Sequence, residues 1–436
     1  MFDYLIITLI ILFLILWLIA VIKDHPLKHI FLVLLAISCI TRKELFGRPL
    51  FVIPSVLFII SYFYLSILSI SLKRKRMNIW NIKACDDFWI KIARLSYIIY
   101  ILFTLISTMF GEYRHNYLNS IMYCFLSIIT AFCLFKYLDR YRSANVMAAF
   151  TLFLLSFIVS IEIWYTFISD YVPVRSLPSY SLIMKFYEHA SHYTICSLGI
   201  ISGTILFLYN LADQEHHKDV KGRITLYFYF CGIFLSGSAL ILIGSRSALI
   251  IIFLYIASLI FLRKKGKSRA KIVIAIVILL LLFSPFTHLI ISRSNLIQYY
   301  YTRFGLQFLN CDPLAKMFGS KRAALNELMW KSYKFGLLGN GRGAAGTLCG
   351  KYYNISTHNA FLEILYDGGP FSLLAYMLMI LSLFLLGIRR KDKSRFTPVF
   401  VSIYLVISSM AGGSGLYIKD ALLVGISCSA LKHLAE

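Results

Sequence analysis

Acidic residues are scarce in this chain: 20 among 436 residues, against 44 Lys and Arg, and charged residues of both signs make up only 15%. A water-facing domain carries about 25% charged and about 45–50% apolar residues, whereas hydrophobic residues reach 59% here. That shortage of charge excludes a soluble globular domain, a disordered chain and a direct nucleic-acid binder. The bilayer is the solvent. The nine cysteines contain no Cys-x-x-Cys pair, so their spacing encodes neither a zinc site nor a disulfide scaffold. P-loop chemistry lacks its Gly-x-x-x-x-Gly-Lys pattern, and no Asp-x-Asp pair suggests a metal-held nucleotide. No internal repeat is visible, which argues against transporter folds built from inverted halves.

What is abundant is apolar sequence in long runs. Stretches near the roughly 20 residues needed to cross a bilayer fall at about 4–22, 49–72, 89–110, 118–138, 145–166, 193–210, 225–243, 247–262, 271–291, 371–388, 396–411 and 414–432. They predict an all-α polytopic membrane protein of about twelve transmembrane helices. Residues 1–291 and 371–436 form the bundle, and 292–370 form a long, partly helical loop before the last three spans. The first run, Tyr4 to Ile22, has no basic leader and no small-residue cleavage site, so it reads as a membrane helix and not as a cleaved signal. The run from His29 to Ile40 is too short to assign. It fits either a thirteenth helix or one lying in the interface.

The basic links orient the spans. Lys73-Arg74-Lys75-Arg76, Arg263-Lys264-Lys265-Gly266-Lys267 and Arg389-Arg390-Lys391 are the densest and belong in the cytoplasm. The even number of spans between successive links agrees with this, and it places the long loop outside. From 292 to 358 the loop holds nine basic residues (Arg293, Arg303, Lys316, Lys321, Arg322, Lys331, Lys334, Arg342 and Lys351) against Asp312 and Glu327. Long loops escape the positive-inside rule, so an anionic ligand accounts for this surface better than topology does. Phe304, Leu306, Phe308, Leu325, Leu328, Trp330, Tyr333, Phe335 and Leu337 would supply a small core, with helical spacing over 320–335. Cys311 and Cys349 share the loop and are a candidate disulfide if it lies in an oxidising compartment.

Three polar stretches converge on the outer side. The first is Gly244-Ser245-Arg246-Ser247 between two spans, where an ionisable group at membrane depth is a functional candidate, although an Arg there can also snorkel to headgroups. The second combines Arg303, Ser320-Lys321-Arg322 and Gly339-Asn340-Gly341-Arg342-Gly343. Arginine presents paired donors that match phosphate oxygens, and glycines allow backbone N–H groups close to an anion; a glycine run taken alone is more often a turn. The third is Thr357-His358-Asn359-Ala360-Phe361-Leu362-Glu363 followed by Tyr366-Asp367-Gly368-Gly369-Pro370-Phe371. His358 and Asn359 would open a helix that Gly-Gly-Pro breaks just before the span at 371. A neutral imidazole suits proton removal from an alcohol, while Glu363, five residues on, is helix support or secondary.

In order and topology these motifs resemble the O-antigen polymerase and O-antigen ligase superfamily: Ser-Arg between spans, a long outer loop with Arg and Gly-x-Gly, then His358-Asn359, nine residues and Gly369. The pattern covers roughly 240–390; the first half matches only in hydropathy. Ser372 stands where a second Gly often follows, a departure that bears on helix packing. The resemblance implies a GT-C-like helical glycosyltransferase in the bacterial inner membrane, active on the periplasmic face without metal or other cofactor. Its donor would be an undecaprenyl-diphosphate-linked oligosaccharide and its acceptor another lipid-linked glycan, with membrane lipids and a chain-length regulator as further partners and no nucleic acid. Carried over are His358 as catalytic base and Arg246, Arg322 and Arg303 as diphosphate ligands. Asn359, Glu363, Gly339, Gly341, Arg342 and Gly369 are supporting residues. Polymerase is the first reading, O-antigen ligase acting on lipid A-core the alternative, and a lipid-linked oligosaccharide transporter a remote one.

Overall fold

A computed structural model of the chain describes residues 15, 17, 19–21, 26–38, 44–45, 48–49, 52–71, 86–113, 117–170, 192–216, 220–242, 246–262, 321–333, 336–353, 359–411 and 417–434. Helices α1 (Ile30–Ser38), α2 (Val52–Ser71), α3 (Asp86–Phe110), α4 (Tyr117–Arg140), α5 (Arg142–Asp170), α6 (His192–His216), α7 (Val220–Leu242) and α8 (Arg246–Leu262) come first. After the segment 263–320 follow α9 (Lys321–Ser332), α10 (Ala344–Tyr353), α11 (Ala360–Arg389), α12 (Phe396–Ala411) and α13 (Tyr417–His433). Strand pairing among the described residues is a two-residue antiparallel ladder, Glu44 opposite Pro49 and Leu45 opposite Arg48. The architecture is all-α. Six helices, α3 to α7 and α11, are long and apolar enough to cross a membrane. The expected span at 271–291 lies outside the described residues.

Large side chains such as Tyr97, Tyr100, Tyr137 and Phe153 fill the interior, and small residues let the helices approach. Between α5, α6 and α7 small residues allow close approach: Ser156 Oγ lies 3.1 Å from Ser236 Oγ, Gly199 lies against both serine side chains, and Gly203 and Gly232 lie against the Phe153 ring. Large apolar side chains such as Phe110, Phe234, Phe253 and Leu374 point outward, Phe234 with 71% of its surface exposed. In lipid there is no hydrophobic gain from pushing one apolar helix against another, so close backbone approach and van der Waals packing hold the bundle. The chain is a multi-pass membrane protein.

The run from His29 to Ile40 resolves into a short buried helix. Nine residues of α1 rise only about 14 Å, less than half the roughly 30 Å hydrocarbon layer. Phe31, Leu32, Leu35 and Ala36 are buried against α2 and α5. Over these nine residues the helix is too short to cross by itself and is packed into the bundle. His29 fixes its start, with Nδ1 2.6 Å from the Tyr137 hydroxyl and Nε2 2.9 Å from Ser143 Oγ.

Contacts between helices give their directions and define two ends of the bundle. Arg94 near the start of α3 meets Asp139 near the end of α4 at 2.6 Å, and Arg389 at the end of α11 covers the Trp89 ring at 4.8 Å. Helix α3 thus runs antiparallel to both α4 and α11. Arg142 at the start of α5 pairs with Asp213 late in α6 at 2.6 Å, and His433 in the last turn of α13 lies 2.8 Å from the Leu138 carbonyl. These groups share one end, the basic end. At the opposite end lie the C-terminus of α3, the N-terminus of α4 and the break in α11. Trp164 Nε1, late in α5, donates to Ser238 Oγ, late in α7, at 2.9 Å. Helix α7 therefore finishes at this second end, and Arg246 opens α8 there four residues later.

Candidate functional site

The second end is built on one face of α3. Ser107 and Thr108 stand three and four residues after Thr104 and so share its face; all three are buried. Ser107 Oγ donates to the Gly368 carbonyl at 3.0 Å and accepts the Gly339 N–H at 3.0 Å. Thr108 Oγ1 donates to the Thr104 carbonyl at 2.7 Å and accepts the Arg342 N–H at 3.0 Å. Ser107 thereby binds the glycine run to the break in α11, and Thr108 ties the same run to α3.

The break follows from Gly368-Gly369-Pro370. Gly369 has φ 83° and ψ 179°, a backbone region essentially restricted to glycine. Pro370 has no N–H to continue the ladder and suits the first position of a new helix. Asn359 caps the first half, its Oδ1 accepting the Leu362 N–H at 3.3 Å, while the Glu363 N–H bonds to the Asn359 carbonyl at 3.0 Å. Residues 360–368 and 370–389 are thus two helices. Phe361 and Tyr376 have ring centroids 6.1 Å apart, although fifteen residues of straight helix would separate them by about 22 Å. The first half folds back over the second.

Against this break lies the glycine run, and Asp367 organises it. Its buried carboxylate accepts the Gly343 N–H at Oδ2 (2.7 Å) and the Ala345 N–H at Oδ1 (2.8 Å). Asn340 N–H bonds to the Tyr366 carbonyl at 2.8 Å and Gly341 N–H to the Asp367 carbonyl at 3.0 Å. Gly341 adopts φ 102°. At Gly339 a Cβ would stand 2.4 Å from the carbonyl carbon and oxygen of Asp367, so only glycine permits this backbone-to-backbone approach. The N–H groups from 339 to 345 are taken up by protein acceptors. The run is therefore a turn that closes a clasp on α3 and α11, and the group it wraps is the protein's own Asp367 side chain.

Ser372 shows what the departure from Gly-x-x-Gly does. Buried, its Oγ donates to the Tyr100 carbonyl at 3.0 Å and lies 2.9 Å from Thr104 Oγ1. A small polar residue here keeps α11 close to α3 and adds hydrogen bonds that glycine lacks.

The folded part of the loop rests on the clasp. Leu325 and Met329 of α9 pack with Ala345 and Cys349 of α10, and Leu348, Leu362 and Tyr366 line this cluster. Helical spacing over 320–335 appears as α9. Its buried stripe is Leu325, Met329 and, just past the helix end, Tyr333, at steps of four. Trp330 and Leu337, expected in the core, are instead 50% and 71% exposed, because Trp330 falls off that stripe and Leu337 lies past the helix end. Cys349 is a buried free thiol, pushed up to about 11 by burial and by the Glu363 and Asp367 carboxylates nearby; Cys311, Phe304, Leu306, Phe308 and Phe335 lie outside the described residues. On the open face of α9, Glu327 and Lys331 pair at 2.6 Å, which lowers the carboxyl and raises the ammonium from their usual ranges.

Arg342 projects from the clasp towards α4, its guanidinium 5.0 Å above the Tyr123 ring. A cation over an aromatic face is stabilised by the ring quadrupole and keeps its fixed charge. Glu363 is half-buried one turn before Asp367. Arg246 and Arg322 are placed by their backbones at the start of α8 and in the first turn of α9; their side chains, with Arg303 and His358, lie outside the described residues. The structure thus brings Gly339, Gly341, Arg342 and Gly369 together, with Glu363 one turn before Asp367 and Asn359 at the opposite end of the half-helix; the start of α8 is at the same end of the bundle as the clasp. Sequence reasoning missed Ser107, Thr108 and the anchoring role of Asp367. For Asp367 the adjacent Gly-Gly-Pro was the available signal. Ser107 and Thr108, more than 230 positions from their partners, offered none. Among the described residues no group of three His, Cys, Asp or Glu could hold a metal ion.

No family model matches the chain, and no curated protein matches its sequence.

Proposed function

We propose that this protein is a membrane glycosyltransferase that polymerises a bacterial surface polysaccharide. It would draw oligosaccharide from an undecaprenyl-diphosphate carrier and join it to a sugar hydroxyl of another lipid-linked unit. The observation that carries the reading is the half-helix 360–368. It is capped by Asn359 immediately after His358, broken at Gly369, and bound to the Gly339–Gly343 run at the end of the bundle where Arg246 opens α8. The glycine run and the break in α11, far apart in the sequence, thus meet at the end of the bundle where α8 begins.

In this reading the basic end is cytoplasmic, as its arginines and lysines favour, and the clasp end faces the periplasm within a GT-C-like bundle of about twelve spans. Arg246 and Arg322, with Arg303, hold the diphosphate. As the glycosidic bond breaks, the leaving diphosphate gains negative charge, and fixed cations stabilise that transition state, one good donor being worth about 3–4 kcal/mol. His358 takes the proton of the acceptor hydroxyl as it attacks the anomeric carbon, a contribution of about 10²–10⁴-fold. Inversion at that carbon follows from direct attack opposite the leaving group. The clasp does not touch substrate in this scheme; it fixes where the His358 helix ends.

The test is glycan profiling of a deletion strain complemented with wild type, His358→Ala or Arg246→Ala. Loss of chain extension at normal protein abundance in both variants supports the proposal. Long-chain product from both overturns the mechanism. The form of the lesion separates the two related activities: a single repeat unit left on the core marks a polymerase, and bare core with polymer stranded on its carrier marks a ligase.

A further inference from the structure

Beneath the clasp, and apart from it, lies a second polar group. Tyr376 is buried on the second half of α11, its ring 5.1 Å from Tyr100 and 6.1 Å from Phe361. Its hydroxyl lies 2.9 Å from Ser409 Oγ on α12 and 3.5 Å from Asp420 Oδ2 on α13. Lys419 Nζ is 3.9 Å from Asp420 Oδ1 and 5.3 Å from the centre of the Tyr404 ring. Four helices therefore meet at one phenol.

We infer that Tyr376 is a positioning residue for the site proposed above, on which this inference rests: held by Ser409 and Asp420, it fixes through Phe361 where the half-helix 360–368 lies. The half-helix has two attachments. At its far end the clasp holds the Tyr366 and Asp367 carbonyls. At its near end, two residues past Asn359, Phe361 rests on Tyr376. Nine residues of helix are a lever of about 13 Å pivoting at Gly369, and a rotation of about 5° moves the tip by about 1 Å. A displacement of that size at reacting groups can cost about 10²-fold in rate.

The polar anchor is also more than packing requires. Charged residues inside a membrane bundle are costly and are retained where they serve function, and phenylalanine at 376 would fill nearly the same volume. The hydroxyl adds a link to α12 and α13, so the aromatic pair is held from two further helices.

Tyr376→Phe keeps the ring and removes that link; Asp420→Asn keeps an acceptor for the hydroxyl and removes the charge. Chain extension is measured in membranes of the deletion strain, with their own lipid-linked glycan as donor, alongside His358→Ala. Tyr376→Phe should lower the maximal rate by 10- to 100-fold with KM for the donor and protein abundance unchanged. Amide exchange should rise at least tenfold in residues 360–365 and stay unchanged in α3. Asp420→Asn should show the same pattern to a smaller degree. Wild-type rate and exchange in both variants, with His358→Ala inactive, overturn the positioning role and leave the proposed function standing. An active His358→Ala removes the function itself.

Discussion

The two ends of the bundle are held by different means. At the basic end, side-chain charges join the helices: Arg94 meets Asp139 with two nitrogens at 2.6 and 2.7 Å, and Ser429 bridges both. At the clasp end the joints are backbone amides meeting hydroxyls, carbonyls and the single carboxylate of Asp367. An end whose cations are used for holding helices has fewer left for a ligand. Where backbone groups do the holding, the joint needs no cation.

Mutations should separate the two ends. The largest loss of stability is expected from Asp367→Ala, which strands the Gly343 and Ala345 N–H groups; at about 2 kcal/mol for each unmade buried hydrogen bond the total is about 4 kcal/mol, read as thermal unfolding in detergent. A shift no larger than that of an exposed substitution would mean the clasp carries little load. Arg94→Ala should cost about 3 kcal/mol by leaving Asp139 without its cation, yet leave chain extension per folded molecule intact. An equal loss of activity would erase the contrast between the ends. Gly369→Ala should cost about 2 kcal/mol for its left-handed backbone and, unlike Arg94→Ala, should reduce chain extension as well. Lys331→Ala, which removes one member of an exposed ion pair, should leave both stability and activity where they are.

Much of the fold was legible in the sequence because the bilayer imposes a length and composition on its helices. The runs at 89–110, 118–138 and 145–166 became α3, α4 and α5 with ends displaced by a few residues. Gly-Gly-Pro announced the break in α11 and Asn359 its cap, since both act through local backbone chemistry. Partnerships across the chain were not legible. The glycine run read more often as a turn than as an anion cradle, and Ser107, Thr108 and Asp367 show the turn and what it is fastened to. The exposed Trp330 and Leu337 show the same limit: a short loop segment rich in apolar residues does not reveal which face finds a partner.

Which end faces the periplasm is the claim beneath all the others. In a cysteine-depleted background, Glu112→Cys beside the clasp and Lys391→Cys at the basic end present exposed positions to a membrane-impermeant maleimide. Labelling of residue 112 in intact spheroplasts, with residue 391 labelled only after permeabilisation, is the predicted result. The reverse pattern would put the clasp in the cytoplasm and contradict the account.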